Sequence, residues 1–538
     1  DPARKIAVQY WPQGEGGDLR MQNPYWIAYR NPRNTDKKRY MANVSIAFDI
    51  LPWLNVSGRA KIDNTNSIFT QKLYASSNTT ITEGSTQGHY TEIRNTDEQI
   101  YADVMVNINK TFADNKFSLV ANVGASINDT KSKELSYRGP IREVGIPNMF
   151  TVFDLDKEKS RAQKYGWQEQ TQSIFASVEM GYKSMLYLTV TGRNDWASQL
   201  AGSPQRSFFY PSGLSWLPTA TFDMPEAFTY LKLRASFSSV GIPFPRFLTT
   251  PTYPYDETNQ QWLPTTFRPI EQLYPERTKT WEVGIDARLW NDLRLAASWY
   301  RADTNNQTFQ PTVSTSSGYS SMYVQTGNVR NTGVEASLGY GHTWNSFSWD
   351  TNFTFSWNKN EVTELMDGLT DPLTGEPLKD RLEIKGLGKA KYIIKKGGTL
   401  GDLYTTSNLK YDENGYVQVD RNGNLITTDV GEDIYLGSVF PNYNLAWRND
   451  FDWKGVHLGI LFTARIGGIV YSATQANMDL FGVSATSAAA RDAGGVTLNG
   501  GDVVDAYTWY SAIAGGNSIP QFYTYSATNV RLPEAAIG

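Results

Sequence analysis

The sequence contains no cysteine and only three histidines among its 538 residues. Disulfide bridges, zinc–thiolate centres and cysteine nucleophiles are therefore excluded for these residues. The motifs HExxH, Gly-x-Ser-x-Gly and CxxC are absent as well. We predict that the chain is not an enzyme. It is expected to have no catalytic residues and no cofactor-binding or metal-binding residues.

A strong excess of one charge sign is also missing, because 50 basic and 54 acidic residues give a formal net charge of -4. Nucleic-acid binding needs a basic surface that neutralises phosphates, so no nucleic acid is expected as a partner. Apolar runs are short, and none approaches the roughly 18 residues of a membrane-spanning helix. A crossing of the bilayer would therefore have to use strands.

Aromatic residues are abundant, since they make up 13% of the chain and include 31 Tyr and 16 Trp. Such a content fits a membrane barrel with aromatic girdles at both interfaces. Composition alone also allows a large β-sandwich with an aromatic core.

Apolar and polar residues alternate with a period of two in many segments, which predicts half-buried strands. In 42–50 the apolar set is Ala42, Val44, Ile46, Phe48 and Ile50. A turn at 51–53 is followed by a second alternating segment, so the pair predicts a hairpin with one apolar and one polar face. Further hairpins are predicted around 113–116, 183–184, 291–292 and 454–455. In total the pattern predicts about sixteen strands.

The connections between these strands fall into two length classes. Turns within a pair have about 2–5 residues, whereas most connections between pairs have roughly 25–50. The long connections are predicted at 64–98, 129–170, 241–278, 305–330, 359–399 and 472–521. We therefore predict an all-β protein, a large antiparallel transmembrane β-barrel with short periplasmic turns and long extracellular loops. A sandwich is the less favoured alternative.

Charged residues within the strands indicate which face meets lipid. Arg59, Lys61, Lys232 and Arg234 would cost several kcal/mol at the bilayer midplane, so they are predicted to face the lumen. A lumen with so many polar residues indicates a channel or a plugged pore. Glycines at 192, 284 and 333 are predicted to mark bends or close backbone approaches. Glu282 and Glu335 are predicted to pair with Arg277 or Arg330.

Several segments resemble the SusC-type branch of the TonB-dependent outer-membrane transporters of Bacteroidota. They are Thr191–Trp196, Phe209–Ser212, Pro275–Gly284, Gly327–Glu335, Phe355–Asn360 and Arg465–Gly468. Each is weak alone, but together they keep the order of that family from about residue 22 to the end.

The resemblance implies a barrel of about 22 strands that is filled by an N-terminal plug. It also implies a location in the cell outer membrane of a Gram-negative bacterium, a SusD-type surface lipoprotein as a lid, and energy supplied by TonB. Residues 1–538 are then expected to form a partial TonB-dependent receptor barrel domain. The plug, through which TonB would act, and the last strand are expected to be absent from this chain.

Loop aromatics are the candidates for substrate contact, because exposed rings stack on sugars or pack against peptide side chains. The candidates are Phe208, Phe209, Tyr210, Tyr253, Tyr255, Trp262 and Trp509. The alternative is that these rings support the loops or belong to the girdles.

Two other loop features are ambiguous. Asp412–Gly415 and Asp420–Asn424 resemble calcium loops, but they lack the ligand spacing and flanking helices of an EF-hand. Tight Asn-Gly turns are the simpler interpretation, and calcium is kept as an alternative. The loop 472–521 is rich in Ala, Gly, Ser and Thr. We expect it to be floppy when free and to pack against the lid or the plug.

The leading functional hypothesis is TonB-energised import of an oligomeric nutrient together with a SusD-type lipoprotein. An oligosaccharide is favoured as substrate, and an oligopeptide is the alternative. The competing hypothesis is a structural or adhesive surface barrel that displays loops and transports nothing.

Overall fold

A single antiparallel sheet of 16 strands dominates the computed structural model of the chain. The structure describes residues 22–200, 207–242, 246–248, 253, 255–256, 261–269, 274–311, 313, 318–366, 368–370, 375–378, 380–515 and 519–538. Among the described residues, no helix combines the length and the apolar character needed to cross a bilayer.

The first nine strands of the sheet are β1 (Arg33–Leu51), β2 (Leu54–Tyr74), β3 (Gly88–Phe112), β4 (Phe117–Pro140), β5 (Arg161–Tyr182), β6 (Leu186–Ala197), β7 (Ser207–Phe209), β8 (Ser212–Trp216) and β9 (Phe228–Ile242). The other seven are β10 (Glu276–Leu289), β11 (Leu293–Phe309), β12 (Val324–Trp344), β13 (Phe347–Glu364), β14 (Tyr443–Trp453), β15 (Val456–Ile466) and β16 (Asn529–Ile537).

The strands form an up-and-down meander, in which each strand pairs with the next one along the chain. The one exception in the described sheet is the short β7, which pairs with β6 beside the β6–β8 pairing. The predicted all-β antiparallel architecture of about sixteen strands is thus confirmed. β1 and β16 each pair on one side and form the two edges of the described sheet.

Tight turns join the strands at one end of the sheet, as the alternation predicts. Lys183 and Ser184 have φ of 47° and 56°, and Lys454 and Gly455 have φ of 47° and 92°. Two consecutive residues with positive φ are typical of a type I′ turn, whose twist matches that of the flanking strands. The other short turns lie at 52–53, 113–116, 290–292 and 345–346.

At the opposite end the strands are longer than the alternation predicts. β2 continues to Tyr74 and β3 starts at Gly88, so the predicted loop 64–98 shrinks to 75–87. The predicted loop 129–170 likewise shrinks to 141–160. In these extensions both faces carry polar residues, such as Asn64 and Thr65, because neither face meets lipid. The backbone hydrogen bonds between the strands continue here although apolar and polar residues no longer alternate. A prediction from alternation therefore ends these strands too early.

The long connections at this end carry secondary structure of their own. The connection between β13 and β14 forms a four-stranded sheet of Arg381–Leu387, Ala390–Lys395, Asp402–Leu409 and Thr427–Ser438, here called the loop sheet. Short strand pairs are Tyr255–Asp256 with Gln261–Trp262, Phe267–Arg268 with Ser321–Met322, Ile469–Tyr471 with Thr524–Ser526, and Val496–Thr497 with Val503–Val504.

Helices are short and lie outside the 16-stranded sheet. They are α1 (Pro24–Arg30), α2 (Pro218–Thr221), α3 (Ala473–Leu480), α4 (Ala485–Asp492) and α5 (Ala506–Ile513). Single turns of 3₁₀-helix in the described residues cover Val152–Asp154, Ser198–Leu200 and Pro520–Tyr523.

Among the described residues, no second layer packs along the apolar face of the large sheet. Val44 is 61% exposed, Ile174 57% and Val283 49%, although all three lie in the middle of strands. The buried apolar clusters lie instead among the extracellular loops and the adjoining strand ends. An apolar strand face of this size without a protein cover indicates contact with lipid, and a dry sandwich is excluded for the described sheet.

Candidate functional site

The two faces of the sheet differ sharply in chemistry, and the strand register assigns each residue to one of them. One face, called the outer face, carries the apolar series such as Val104, Val123 and Leu295. The other, called the inner wall, carries residues such as Arg59, Asp103 and Arg234. Arg59 and Arg234 therefore lie where the sequence predicts them, on the face opposite to the apolar series.

Ion pairs between side chains two residues apart recur along the inner wall. Arg193 Nε lies 2.8 Å from Asp195 Oδ1, and Arg448 Nε lies 2.6 Å from Asp450 Oδ2. Other pairs cross to a neighbouring strand, as between Arg59 Nε and Asp103 Oδ2 at 2.9 Å. Residues i and i+2 of a strand share a face, so these pairs are a direct consequence of the period-two alternation.

The glycines at 284 and 333 mark close approaches on the inner wall, as predicted. A Cβ atom on Gly284 would collide with the Arg234 guanidinium, and one on Gly333 would collide with the Tyr300 ring. Gly192 shows no close approach, because a Cβ atom there would meet nothing within 4 Å, and a bend at this position stays a prediction. Packing of long side chains across the strands, and not a bend, explains the first two glycines.

The predicted partners of Glu282 and Arg330 are wrong. Glu282 faces Arg234 on the neighbouring strand at 3.6 Å. Arg330 Nε donates to Asp303 Oδ1 at 2.7 Å. Arg277 lies over the ring of Tyr210 instead, 5.9 Å from its centroid. Residues 277 and 330 have outer-face parity while Glu282 has inner-wall parity, so the predicted pairs would have had to reach through the sheet.

A cavity of about 650 Å³ lies against the inner wall of β9 and β11–β16. Its lining combines small residues, such as Ser298 and Thr463, with the charged residues Arg234, Glu335 and Arg465. A concave surface with small, polar and charged groups can hold a polar ligand or another polypeptide segment.

Aromatic side chains form two rows on the outer face. Near the tight turns, Phe112 and Phe117 stack at 5.6 Å between ring centroids, and Trp344 and Phe347 stack at 6.0 Å. The second row lies nearer the extracellular loops and consists of Phe237, Trp281, Trp299, Trp357 and Tyr443. The register pairs Phe237 with Trp281 and Trp357 with Tyr443, and Trp299 lies one step nearer the tight turns than Trp281.

The two aromatic rows lie the thickness of a bilayer apart. On β13 they are marked by Phe347 and Trp357. Ten residues of strand span about 33 Å, and a tilt of about 40° reduces this to roughly 25 Å along the barrel axis. An apolar band of about 25 Å between aromatic girdles is typical of outer-membrane barrels.

One polar rung interrupts the apolar band of the outer face. Thr351 and Asn449 lie directly opposite each other on β13 and β14. The Trp349 indole donates to Asn449 Oδ1 at 3.2 Å, and the Trp447 indole donates to Thr351 Oγ1 at 2.9 Å. Each polar residue therefore accepts a hydrogen bond from an indole that would otherwise face hydrocarbon.

Two predicted contact residues, Tyr255 and Trp262, lie next to each other in an exposed loop hairpin. Their ring centroids are 5.1 Å apart with an interplanar angle of 63°. Tyr255 is 46% and Trp262 69% exposed, and Tyr253 is 57% exposed nearby in the chain. Two exposed rings at this angle present apolar faces that a sugar ring or a peptide side chain can cover.

Tyr210 lies among the aromatic residues of the outer face. Its ring centroid is 6.0 Å from that of Phe237, which in turn lies 4.5 Å from Trp281. This position favours the girdle interpretation of Tyr210 over contact with a substrate in the lumen. The backbones of Phe208 and Phe209 pair with β6, whereas their side chains lie outside the described residues.

Trp509 is packed into the folded loop between β15 and β16. Its ring lies 5.5 Å from that of Phe522, and it packs against a buried cluster that includes Leu409 and Ile513. This packing favours the loop-supporting interpretation of Trp509, and its predicted contact with substrate stays a prediction.

The loop 472–521 is folded in its described residues, which the composition did not indicate. It forms α3, α4 and α5, each with an N-terminal cap from Ser472, Ser484 or Asp505. Its apolar residues pack against Leu409 and Leu425 of the neighbouring connection. The expectation of a floppy segment is wrong for the described residues, because they fold against a neighbouring connection of the same chain. Packing of this loop against the lid or the plug stays a prediction.

The two predicted calcium loops are tight turns held by their own aspartates. Asp412 Oδ1 accepts from the backbone N–H groups of Asn414 and Tyr416, both at 2.8 Å. Asp420 Oδ1 accepts in the same way from Asn422 and Asn424. In the described part of the chain, no three acidic or imidazole side chains converge as a metal site requires. Calcium stays an untested alternative for these turns.

The loop sheet contains a tightly held carboxylate. Arg381 donates to both oxygens of Asp433, at 2.8 and 2.9 Å, and Lys395 Nζ lies 2.7 Å from Asp433 Oδ2. The hydrogen bonds from Arg381 are the main cause that lowers the pKa of Asp433 to about 2. This bidentate pair fastens the first strand of the loop sheet to its last one.

Comparisons with known proteins agree with this geometry. Residues 5–438 match the family described as TonB dependent receptor-like, beta-barrel. TonB-dependent receptor P3 of Formosa agariphila is 25% identical over 487 residues, which cover 85% of this chain and 47% of that protein. TonB-dependent receptor SusC of Bacteroides thetaiotaomicron is 25% identical over 316 residues, which cover 56% of this chain and 30% of that protein.

Solved structures share the fold. The RagAB peptide importer in the 'closed-closed' state matches with a TM-score of 0.76 and 18% identity, over 99% of this chain and 58% of that one. A second RagAB peptide transporter structure matches with a TM-score of 0.70 and 19% identity, over 87% of this chain and 52% of that one.

The chain spans about half the length of the first curated relative and about a third of the others. The similarity to SusC confirms the resemblance seen in the ordered sequence segments. A family match over well more than half of the chain, with the fold of solved relatives, leaves one assignment: the chain belongs to the TonB-dependent receptor family and supplies part of its outer-membrane β-barrel.

Proposed function

We propose that the full-length protein imports an oligomeric nutrient across the cell outer membrane of a Gram-negative bacterium, with energy from TonB. The observation that carries the proposal is the two-faced sheet. An apolar band of roughly 25 Å between two aromatic rows suits the bilayer, and a polar, ion-paired inner wall suits a wet conduit.

The proposal includes two protein partners. A SusD-type lipoprotein would close over the extracellular loops as a lid, and TonB would act on an N-terminal plug. A barrel of about 22 strands, of which this chain supplies part, would surround that plug. Support comes from the similarity to SusC of Bacteroides thetaiotaomicron and from the cavity against the inner wall.

An oligosaccharide is the favoured cargo. The exposed pair of Tyr255 and Trp262 offers two adjacent aromatic faces, which suit the apolar faces of sugar rings. The RagAB structures are those of a peptide importer, and an oligopeptide is therefore the second substrate class to test.

The experiment measures uptake by the native bacterium of fluorescent neutral oligosaccharides and of matched oligopeptides. Wild-type cells, cells lacking the gene and wild-type cells treated with a protonophore are compared. We expect uptake of one class only in untreated wild-type cells. Surface binding without uptake in untreated wild-type cells would instead identify a barrel that displays loops and transports nothing.

A matched pair of variants tests the aromatic hairpin. Trp262→Ala removes a 69% exposed ring and should lower oligosaccharide uptake about tenfold, if a sugar ring gains from stacking about as much as the roughly 1–3 kcal/mol that a nucleic-acid base gains on one aromatic ring. Phe481→Ala removes a 64% exposed ring from another loop and should leave uptake unchanged. Equal effects of the two variants on uptake would contradict the proposal that Trp262 contacts the cargo.

A further inference from the structure

A second cavity lies at the extracellular end of the inner wall, beyond the apolar band. It has a volume of about 840 Å³ and is bordered by β1–β4, α1 and the connection 75–87. The polar side chains of its lining include Arg33, Gln71, His89, Thr91 and Arg138. We call this cavity the mouth pocket, and the proposed import assigns no role to it.

Most of these side chains follow one row of the strand register. Arg33 of β1 lies directly opposite Gln71 of β2, and Gln71 lies opposite Thr91 of β3. Thr91 in turn lies opposite Arg138 of β4, which lies opposite Arg161 of β5. Residues that lie directly opposite each other share a face, and the parity of this row is that of the inner wall. The row therefore faces the lumen.

Arg138 and Arg161 place two like charges directly opposite each other. Like charges in this position destabilise a pair of strands. Within the described part of the chain, neither guanidinium forms an ion pair, whereas Arg39 on the same wall donates from Nε to Asp63 Oδ1 at 2.8 Å. The two arginines therefore cost stability where they stand, and an anion that lies between them would offset this cost.

Arg33 is held in the same row without being neutralised. When the amide of Gln71 turns its oxygen towards Arg33, that oxygen accepts from Arg33 Nε and Nη2, both at 3.1 Å. Glu83 supplies the one carboxylate of the described lining, and its Oε1 lies 3.7 Å from His89 Nε2. Three guanidinium groups of one row thus accompany a single carboxylate, so the mouth pocket has a positive potential.

Two buried polar side chains of the mouth pocket have an atom without a hydrogen-bond partner among the described residues. They are His89, which is 7% exposed, at Nδ1, and Gln22, which is 8% exposed, at Oε1. Burial is the main cause that lowers the pKa of His89; Glu83 opposes this shift, and the charges of Arg138 and Arg161 add to it. Buried polar atoms are normally paired, so these two indicate a site that a polar ligand completes.

We propose that the mouth pocket binds the carboxylate of an acidic oligosaccharide and thereby favours cargo that carries uronic acid units. The planar guanidinium groups of Arg138 and Arg161 match the two oxygens of a carboxylate. Hydroxyl groups of the same sugar ring can pair with the Gln71 amide, the Thr91 hydroxyl and the His89 imidazole. The proposal rests on the proposed import of an oligosaccharide, and it names the charged group that this cargo carries.

The experiment measures dissociation constants by ligand-observed NMR with the purified full-length protein in detergent. The probes are glucuronate, glucose and N-acetylaspartate amide. We expect glucuronate to bind at least about tenfold more tightly than glucose, because hydrogen bonds to a charged group contribute roughly that factor or more. N-acetylaspartate amide carries a carboxylate without sugar hydroxyl groups and should bind more weakly than glucuronate.

Arg138→Gln with Arg161→Gln should weaken glucuronate binding about tenfold and change glucose binding less than about twofold. The matched control, Lys131→Gln with Lys133→Gln, removes two charges from the outer face of the same strand and should change both less than about twofold. Without ligand, the arginine variant should unfold at the same or a higher temperature than wild type, because it removes two opposed like charges. A purely structural role of the arginines would lower that temperature.

Four outcomes would overturn the proposal. They are glucuronate binding no tighter than that of glucose, equal effects of the two double variants, a lower unfolding temperature of the arginine variant, and tighter binding of N-acetylaspartate amide than of glucuronate. The last outcome would assign the mouth pocket to an acidic peptide. Uptake separates this proposal from the import itself. Glucuronate binding without uptake of any oligosaccharide contradicts import alone, and import that does not distinguish acidic from neutral oligosaccharides contradicts the role of the mouth pocket alone.

Discussion

At the scale of single residues, the polar rung of Thr351 and Asn449 departs most clearly from the simple pattern. Both side chains lie within the apolar band, where a polar group without a hydrogen-bond partner is costly. The indoles of Trp349 and Trp447 provide the partners diagonally across the rung. Tryptophans therefore donate hydrogen bonds to polar residues within the apolar band, in addition to forming the aromatic rows at its edges.

Removal of the Asn449 amide should destabilise the barrel by about 1 kcal/mol, because it leaves the Trp349 indole N–H without an acceptor in hydrocarbon. Asn449→Ala and Trp349→Phe should each cost stability, and the double variant should cost less than their sum. The measurement is the urea dependence of folding of the full-length protein into lipid vesicles. Strict additivity would show that the hydrogen bond contributes nothing.

Asn449 also illustrates a limit of sequence analysis, because its hydrogen-bond partner cannot be predicted from the residues around it. Its partner Trp349 is 100 positions away, and nothing local indicates that the two strands are neighbours. Trp509 is a similar case, since its packing against Phe522 and the cluster around Leu409 arises only when two loops fold together. Local patterns record which face a residue has, but not which distant residue it meets.

At the scale of elements, the loop sheet is a folded unit that rests on the ends of the strands. Its residues Leu382 and Ile394 share a buried cluster with Val329 and Val362 of β12 and β13. Its first and last strands are joined by Arg381 and Asp433. The described part of the connection between β13 and β14 is thus a folded unit packed on the ends of β12 and β13.

The Arg381–Asp433 pair should make the loop sheet pH-dependent only in strong acid. Since folding lowers the pKa of Asp433 from 3.8 to about 2, its stabilising contribution is complete above about pH 4 and is lost as the pH falls through 2. Asp433→Asn should therefore raise amide exchange of residues 381–438 about tenfold at pH 7, and wild type should approach the variant near pH 2.

The control for this measurement is Glu413→Gln, which changes an exposed turn residue of the same connection. Its amide exchange should match that of wild type after correction for intrinsic rates. A difference between Asp433→Asn and wild type that persists at full size below pH 2 would contradict the role of the carboxylate charge.

The elements that could be predicted are those in which lipid and water impose opposite demands on the two faces. β1 and β2 are examples, because Val44 and Val56 alternate with Ser45 and Ser57. The extension of β2 to Tyr74 could not be predicted, since polar residues lie on both of its faces. The loop sheet and α3–α5 could not be predicted either, because their sequences show no regular alternation of apolar and polar residues. Contacts between loops stabilise them.

At the scale of the whole molecule, the parity of the strand residues decides the surroundings of every side chain in the band. The chain has no cysteine, so single cysteines introduced into it provide clean probes. Spin labels at Ala297→Cys and Phe353→Cys should be accessible to oxygen dissolved in lipid. Labels at the next residues, Ser298→Cys and Thr354→Cys, should not be.

The measurement is power-saturation spectroscopy of the full-length protein in vesicles, with oxygen as the lipid-soluble relaxant and a chromium complex as the water-soluble one. We expect the ratio of the two accessibilities to differ at least about tenfold between outer-face and inner-wall positions. Similar ratios at neighbouring residues would contradict a lipid-facing sheet, and inverted ratios would exchange the two faces.

The pairing of opposite charges along the inner wall has a consequence for selectivity. Where Arg59 meets Asp103 and Arg193 meets Asp195, the fields of the two groups largely cancel a few ångströms away. A passing molecule therefore encounters a wettable lining that neither attracts nor repels it strongly by charge in these stretches. In the proposed import, discrimination between cargoes then falls to the shapes, aromatic rings and charges at the extracellular end, and a conduit with such a lining accepts cargoes of different charge.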